Sequence, residues 1–414
     1  MSVTRALPAF SGYGIELEYM IVGRATLAVR PIADELLRRM AGRAASDVEH
    51  GALGWSNELA LHVIELKNVQ PTPMLEALPA AFAREIRAAN GMLEPLDAML
   101  MPTGMHPWMD PRSETRLWPH DHAEIYGAFD RIFDCRSHGW ANLQSMHLNL
   151  PFAGDLEFAR LHAAVRLALP LVPALAASSP LREGRLAGPL DGRLEAYRQH
   201  TRAIPAIVSD VVPEPVTDRA DYERRILKPM YEAIAGHDPD GVLRHEWLNA
   251  RGAVARFARS AIEIRLADTQ ECPLADVAVA CAVAGAVKAL YAERWAPLKV
   301  RDPFPTAKLA ALLARCIDGG ERAIIDDPAY LRLFGYRAPR CRAGELWAHV
   351  VEECLSEVCR QPSLAQAVQV LLDQGPLARR ILRCLEGQAL PAALESVYRR
   401  LCQCLARGEM LLAP

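Results

Sequence analysis

The chain has 414 residues, of which 51% are hydrophobic and 23% charged, enough apolar material for a sizeable core and too much for wholesale disorder. Its 47 Lys and Arg against 50 Asp and Glu give a formal net charge of -3 without long runs of one sign, which argues against a nucleic-acid or membrane-surface role. Ten cysteines, with no basic start, apolar stretch or cleavage site over residues 1 to 12, point to free thiols in a reducing, cytoplasmic setting.

In chain order, residues 13 to 22 read as a strand, and residues 32 to 40 have helical apolar spacing behind Pro31. Residues 58 to 67 read as a second major strand and 74 to 100 as a long helix. Residues 145 to 150 alternate as a short strand that Pro151 ends, and 156 to 177 are helical. Residues 261 to 267 alternate again, and Pro273 opens an apolar helix running to Trp295. Its longest uninterrupted apolar run, 277 to 287, and the stretch 167 to 177 with its two prolines both read as too short for a bilayer span. Beyond Arg301 strand signals nearly vanish and helices prevail, with Pro362, Pro376 and Pro391 as expected breaks. The pattern predicts a sheet-containing region over residues 1–300 and a helical extension over 301–414.

Three of these strands share one design. A period of two places Glu16 and Glu18 on one face, with Ile15, Leu17 and Tyr19 on the other. Glu263 and Arg265 stand likewise in front of Ile262, Ile264 and Leu266, and His147 and Asn149 in front of Met146, Leu148 and Leu150. A solvated sheet face accounts for any one of them. Taken together they point elsewhere, because Glu-x-Glu sets like charges side by side at a cost that a cation removes. Mg²⁺ binds through a few carboxylates plus substrate phosphates, and a His and an Arg supply a further ligand and a phosphate partner. An Mg²⁺–nucleotide site is therefore predicted. With no P-loop and no GxGxxG turn in the chain, metals and arginines must hold the phosphates.

Other groups read as structural. The six cysteines from Cys341 onward form no CxxC pair and read as core thiols, and Cys135 has no base in reach by sequence. His120-Asp121-His122 reads as a polar helix start, His106-Pro107-Trp108 as a loop near the site, and Arg198 with Arg202 as a surface pair.

The ordered set of motifs resembles the glutamate–cysteine ligase superfamily, particularly its bacterial carboxylate–amine ligase branch. GIELEYMIV at residues 14–22 is similar to the first acidic strand, and Asn57-Glu58 with VIELK at 63–67 to the second. His106-Pro107, Tyr126 and His147 are similar to the order HP…Y…H-x-H or H-x-N. Leu248-Asn249-Ala250-Arg251, Arg256-Phe257 and EIRLAD at 263–268 are similar to D-A-R…R-F…E-x-R-x-x-D. The likeness covers residues 11 to 295. It implies a glutamine-synthetase-like α+β fold, in which a curved, mainly antiparallel sheet with helices on its back holds ATP and two or three Mg²⁺ ions, followed by a helical extension. It also implies ATP-dependent joining of a small carboxylate, glutamate or a relative, to a small amine through an acyl-phosphate, with no nucleic-acid or membrane partner.

Carried over position by position, Glu16, Glu18, Glu58 or Glu65, His147 and Glu263 are the implied metal ligands. Arg251 and Arg265 are the implied catalytic contacts to phosphate, with Arg256 beside them at the nucleotide. Glu58 and Glu65 are seven apart, so on one regular strand they face opposite ways; Glu65, in the more apolar part, is favoured unless a bulge intervenes. The chain departs from the branch at Asn249 (usually Asp), at Arg259-Ser260-Ala261 (usually a Gly-Thr-type approach) and at Asn149 (often His), which bears on the substrate more than on the metal. Three alternatives remain open: a guanidino kinase of the same fold, a protein-glutamylating ligase, and a non-catalytic nucleotide- or metal-binding regulator. A homodimer through the helical tail is also open.

Overall fold

The computed structural model describes residues 6–390 and 392–414. The alternating segments assemble into one eight-stranded antiparallel sheet. Its strands are β1 (Gly14–Gly23), β2 (Asp47–His50), β3 (Leu53–Asn57), β4 (Val63–Asn68), β5 (Ala98–Met101) and β6 (Ser145–Pro151). A short separate ribbon of β7 (Leu181–Arg182) and β8 (Arg185–Leu186) precedes its last two members, β9 (Ala253–Arg256) and β10 (Ala261–Asp268). The order is β2-β3-β4-β1-β6-β10-β9. β6 pairs with the first half of β1, and β5 takes over the same edge from Met20 onward.

β1, β6 and β10 stand where alternation places them, and two other expectations are corrected. Residues 58 to 67 are not one strand: β3 ends at Asn57, residues 58 to 62 loop out, and β4 begins at Val63. That loop is tied to distant backbone, Leu61 N donating to Arg116 O at 2.8 Å and Trp118 N to Leu59 O at 3.0 Å. The long helix expected over 74 to 100 is the shorter Leu78–Leu93. A 3₁₀ turn containing Pro95 and a left-handed Asp97 end it, and the apolar run AMLM continues as β5, a length at which strand and helix periods are indistinguishable.

Ile15, Leu17, Ile64, Leu66, Leu148 and Ile262 are buried on the back of the sheet in one large core. Helix Pro273–Tyr291 packs there with Leu78–Leu93 and Gly154–Ala168. At 19 residues and a mean hydropathy of 1.7 this helix is long and apolar enough to cross a membrane by length and composition, which corrects the expectation drawn from its shorter uninterrupted run; 83% of that window is buried inside the fold. The same core extends into helices Thr306–Gly319, Ala343–Cys354 and Pro362–Gln374. Pro362 and Pro376 open helices, where a missing N–H costs nothing, and Pro391 lies outside the described residues. All ten cysteines are free and buried.

The front of β1 changes character halfway. Glu16 and Glu18 give way to Met20 and Val22, which join Ile381, Val397, Tyr398 and Leu401 in a second apolar cluster. Helices Leu377–Leu385 and Ala392–Arg407 therefore cover the far half of the front face and leave the acidic half open.

Within the core His162 is 1% exposed, and neither ring nitrogen has a hydrogen-bond partner. Burial, with Arg166 and Arg251 nearby, pushes its pKa from 6.5 down to about 3. The neutral ring is thus what the fold accepts, so its contribution to stability is intact above pH 6.5 and is lost as pH falls from there toward 3. At pH 5 the loss is about 2 kcal/mol for this one residue. Urea midpoints at pH 7 and pH 5 should differ, and the difference should shrink in His162→Phe; an unchanged pH dependence in the variant refutes this assignment.

Candidate active site

The open half of the front face floors a cavity of about 690 Å³. Strand pairing sets its carboxylates side by side, because directly opposed residues share a face: Glu18 stands opposite Glu65, and Glu16 lies between Lys67 on β4 and His147 on β6. His147 Nδ1 lies 2.9 Å from Glu16 Oε2 and its Nε2 lies 2.9 Å from Ser145 Oγ. Asn149 Nδ2 donates to Glu16 Oε1 at 3.1 Å, so the departure from a second His still serves the same carboxylate. Ser145 N donates to Glu18 Oε2 at 2.7 Å. Lys67 Nζ and Ser56 Oγ both donate to Glu65 Oε1, at 3.1 and 2.8 Å.

Two sets of donor atoms converge within 4.8 Å of one another: Glu16, Glu65 and His147, and Glu18, Glu58 and Glu65. The choice between Glu58 and Glu65 thus dissolves. Because the chain reverses between them, both line the cavity. Their electrostatics are those of crowded anions. Burial first, then the charges of Glu18 and Glu65, pushes Glu58 well above the usual carboxylate range, and burial with Glu16 raises Glu65 to about 7. Burial also acts upward on Glu16, but the hydrogen bond and charge of His147 prevail and lower it. His147 is correspondingly raised, its hydrogen bond to Glu16 and the charge of Glu18 outweighing burial.

The other end of the floor is cationic. Glu263 accepts from Arg256 Nε at 2.8 Å and from Arg265 Nε at 2.9 Å, and despite burial these two charges hold it well below the ordinary range. Glu263 is therefore gathered into neither carboxylate set; it enters as the shared partner of two guanidinium groups. Beyond it β10 carries a bulge between Ile264 and Ala267, after which Asp268 pairs with Ser145. Arg193 spans this irregularity, its guanidinium donating to the carbonyls of Arg265 at 3.0 Å and Leu266 at 3.2 Å and to Asp268 Oδ1 at 3.3 Å. Arg265 N donates to Gly252 O at 3.0 Å, and a Cβ on Gly252 would meet the Leu266 side chain at 2.7 Å.

Arg251 is a correction. It does not line the cavity and is 3% exposed. Its Nε and Nη2 donate to Glu214 at 2.5 and 2.7 Å, and its Nη1 to Asn249 Oδ1 at 3.1 Å. Asn249 itself donates to Tyr222 Oη at 2.7 Å, so both are braces behind the site. His106 is buried, with Nε2 2.8 Å from Leu27 O. Arg198 pairs with Glu195 on an exposed helix face. His122, read as part of a helix start, also lines the cavity, with a left-handed backbone just before helix Ala123–Phe133. Sequence reasoning missed Arg193, Ser145 and an aromatic roof that includes Phe129, Trp140 and Trp247. Only Ser145 carried a signal, since it shares the parity of His147 and Asn149.

The acidic, arginine-flanked front of this antiparallel sheet is what an ATP-dependent carbon–nitrogen ligase of the carboxylate–amine type requires, and the family match makes the protein one. The chain belongs to the glutamate-cysteine ligase family 2 (GCS2), whose model matches residues 13–400. A protein of Archaeoglobus fulgidus, described as uncharacterized, is 36% identical over 263 residues, 63% of this chain and 69% of its own length. Among solved structures, the glutamate–cysteine ligase of Francisella tularensis in complex with AMP superposes with a TM-score of 0.53 at 14% identity, covering 97% of this chain and 90% of that one, a likeness of fold.

Proposed function

We propose that the protein phosphorylates a small carboxylate, glutamate or a close relative, with ATP and transfers the acyl group to an amine. The observation that carries this reading is the pair of donor sets sharing Glu65 beside the arginines on Glu263. The donor chemistry fits two Mg²⁺ ions: oxygen and imidazole ligands within reach of one another, and buried carboxylates that a cation would relieve. Glu16, Glu65 and His147 would hold one ion, and Glu18, Glu58 and Glu65 the other. Bound there, Mg²⁺ supplies charge neutralisation for the triphosphate.

The chain's own groups supply the rest. Arg256 and Arg265 bring two positive charges against the single negative charge of Glu263, so this end of the floor keeps a surplus positive charge for the phosphoryl group in transfer. A substrate carboxylate oxygen attacks the γ-phosphorus and the bond to ADP breaks. The amine lone pair then attacks the acyl carbon, the carbon–oxygen bond to phosphate breaks, and the nitrogen loses one proton. The products are amide, ADP and phosphate.

The test is ADP release that requires carboxylate and amine together, with hydroxylamine in place of the amine trapping the acyl-phosphate as a hydroxamate. Hydroxamate formation from glutamate is the expected outcome. Stable phosphoryl transfer to a guanidine without hydroxamate indicates a kinase and refutes the ligase reading.

A further inference from the structure

On that ligase reading, we propose that the amine acceptor carries a flat apolar group and seats it against an aromatic wall facing the carboxylate floor. The wall is assembled from three separate segments: helix Ala123–Phe133, helix His138–Ala141 and the turn Glu246–Leu248. Phe129 is its centre, with ring centroids 5.0 Å from Trp140 and 5.8 Å from Trp247. Trp140 Nε1 is consumed by the carbonyl of His200 at 3.0 Å, so the indole offers the cavity an apolar surface and no donor. Trp247 is backed by His245, stacked at 5.5 Å, and Leu143 lines the same cavity.

Aromatic rings bury large apolar areas and favour stacked or edge-on ring partners, so a wall of three rings rewards a planar apolar ligand and leaves a short polar one wet. The wall is anchored at the β3 edge, where Tyr126 Oη accepts from Asn57 Nδ2 at 3.0 Å. The turn between β9 and β10, a separate segment of the lining, brings Arg259 to the cavity. Arg259 has no hydrogen-bond or ion-pair partner among the described residues. Phosphate oxygens are drawn to the guanidinium groups of Arg256, Arg259 and Arg265, which leaves the uncharged rings for the acceptor.

The experiment compares 2-phenylethylamine with ethylamine and cysteine as acceptors, using the full chain with ATP, Mg²⁺ and glutamate, and reading ADP release and product mass. The expected kcat/KM for 2-phenylethylamine exceeds that for ethylamine by about tenfold or more. Trp247→Leu should cut that ratio about tenfold, and Trp247→Phe should keep most of it. A wild-type ratio near one overturns the proposal without any variant. It is equally overturned if Trp247→Leu raises the KM for ATP and leaves the amine ratio unmoved, which puts the nucleotide base on the wall. Hydroxamate formation without amine preference overturns the acceptor class and leaves the ligase reading standing; absence of both hydroxamate and ADP removes the two together.

Discussion

Glu65→Gln should abolish Mg²⁺-dependent turnover by about 10²–10³-fold in kcat/KM while leaving the metal-free protein at least as stable as its parent. Glu65 is the donor common to both convergent sets, so its amide weakens both at once, whereas Glu16→Gln or Glu58→Gln touches one. The stability half follows from sign. Burial and the charge of Glu16 hold Glu65 at about 7, above the ordinary 4.5, so the ionised group destabilises the fold above pH 4.5 and does so fully above pH 7. An uncharged isostere removes that cost. Lys67 meanwhile keeps Asp47 at 3.1 Å and Ser56 at 2.8 Å. Thermal melts at pH 8 should show a variant Tm equal to or above that of the parent without metal, and a rise on adding Mg²⁺ in the parent alone. A variant that keeps turnover, or keeps the Mg²⁺-induced rise, overturns the assignment of Glu65.

The second large effect concerns stability. Arg380 on helix Leu377–Leu385 and Glu271, three residues beyond β10, form an ion pair in which both side chains are fully buried. Arg380 Nη1 also donates to Leu411 O at 2.7 Å, and Leu411 N donates to Glu271 Oε1 at 3.1 Å. Glu271→Gln leaves the guanidinium without a counter-charge in a dry interior, a loss of about 3–5 kcal/mol. Replacing both partners, as in Glu271→Leu with Arg380→Met, should recover much of that, since an apolar pair of similar volume carries no desolvation penalty. Urea midpoints of the parent, the single and the double variant decide the matter. A double variant no more stable than the single one shows that the hydrogen bonds to Leu411, not the charges, hold these elements together.

Much of the floor of the site was legible because its strands have one wet and one dry face. Glu16, Glu18, His147, Glu263 and Arg265 fell on the correct side by parity alone. Parity failed at Glu58 because the loop that separates it from Glu65 contains no Gly or Pro and is held by backbone partners near residue 116, far along the chain. Arg251 was misplaced for a related reason: its orientation is decided by Glu214, 37 positions earlier and outside any motif. The aromatic wall gave no local signal at all, since Phe129, Trp140 and Trp247 are ordinary core residue types until three segments bring their rings together. One signal was present and unused. Met20, Ile21 and Val22 break the alternation of β1, and an apolar run in a strand marks burial on both faces, here under the C-terminal helices.

The bulge in β10 makes the spacing of its motif a matter of counting. Glu263 to Arg265 is an even interval and Arg265 to Asp268 an odd one, yet Asp268 pairs with Ser145 and so returns to the side that carries His147. The extra residue acts as a frameshift for side-chain direction. Building β10 as an ideal strand with every residue kept, as an engineer grafting this sheet would be tempted to do, would send Asp268 toward the helices and strip Ser178, Ser179 and Arg193 of their common carboxylate partner. Any redesign of this segment should therefore keep the odd interval and the bulge together, since either without the other turns Asp268 to the opposite face.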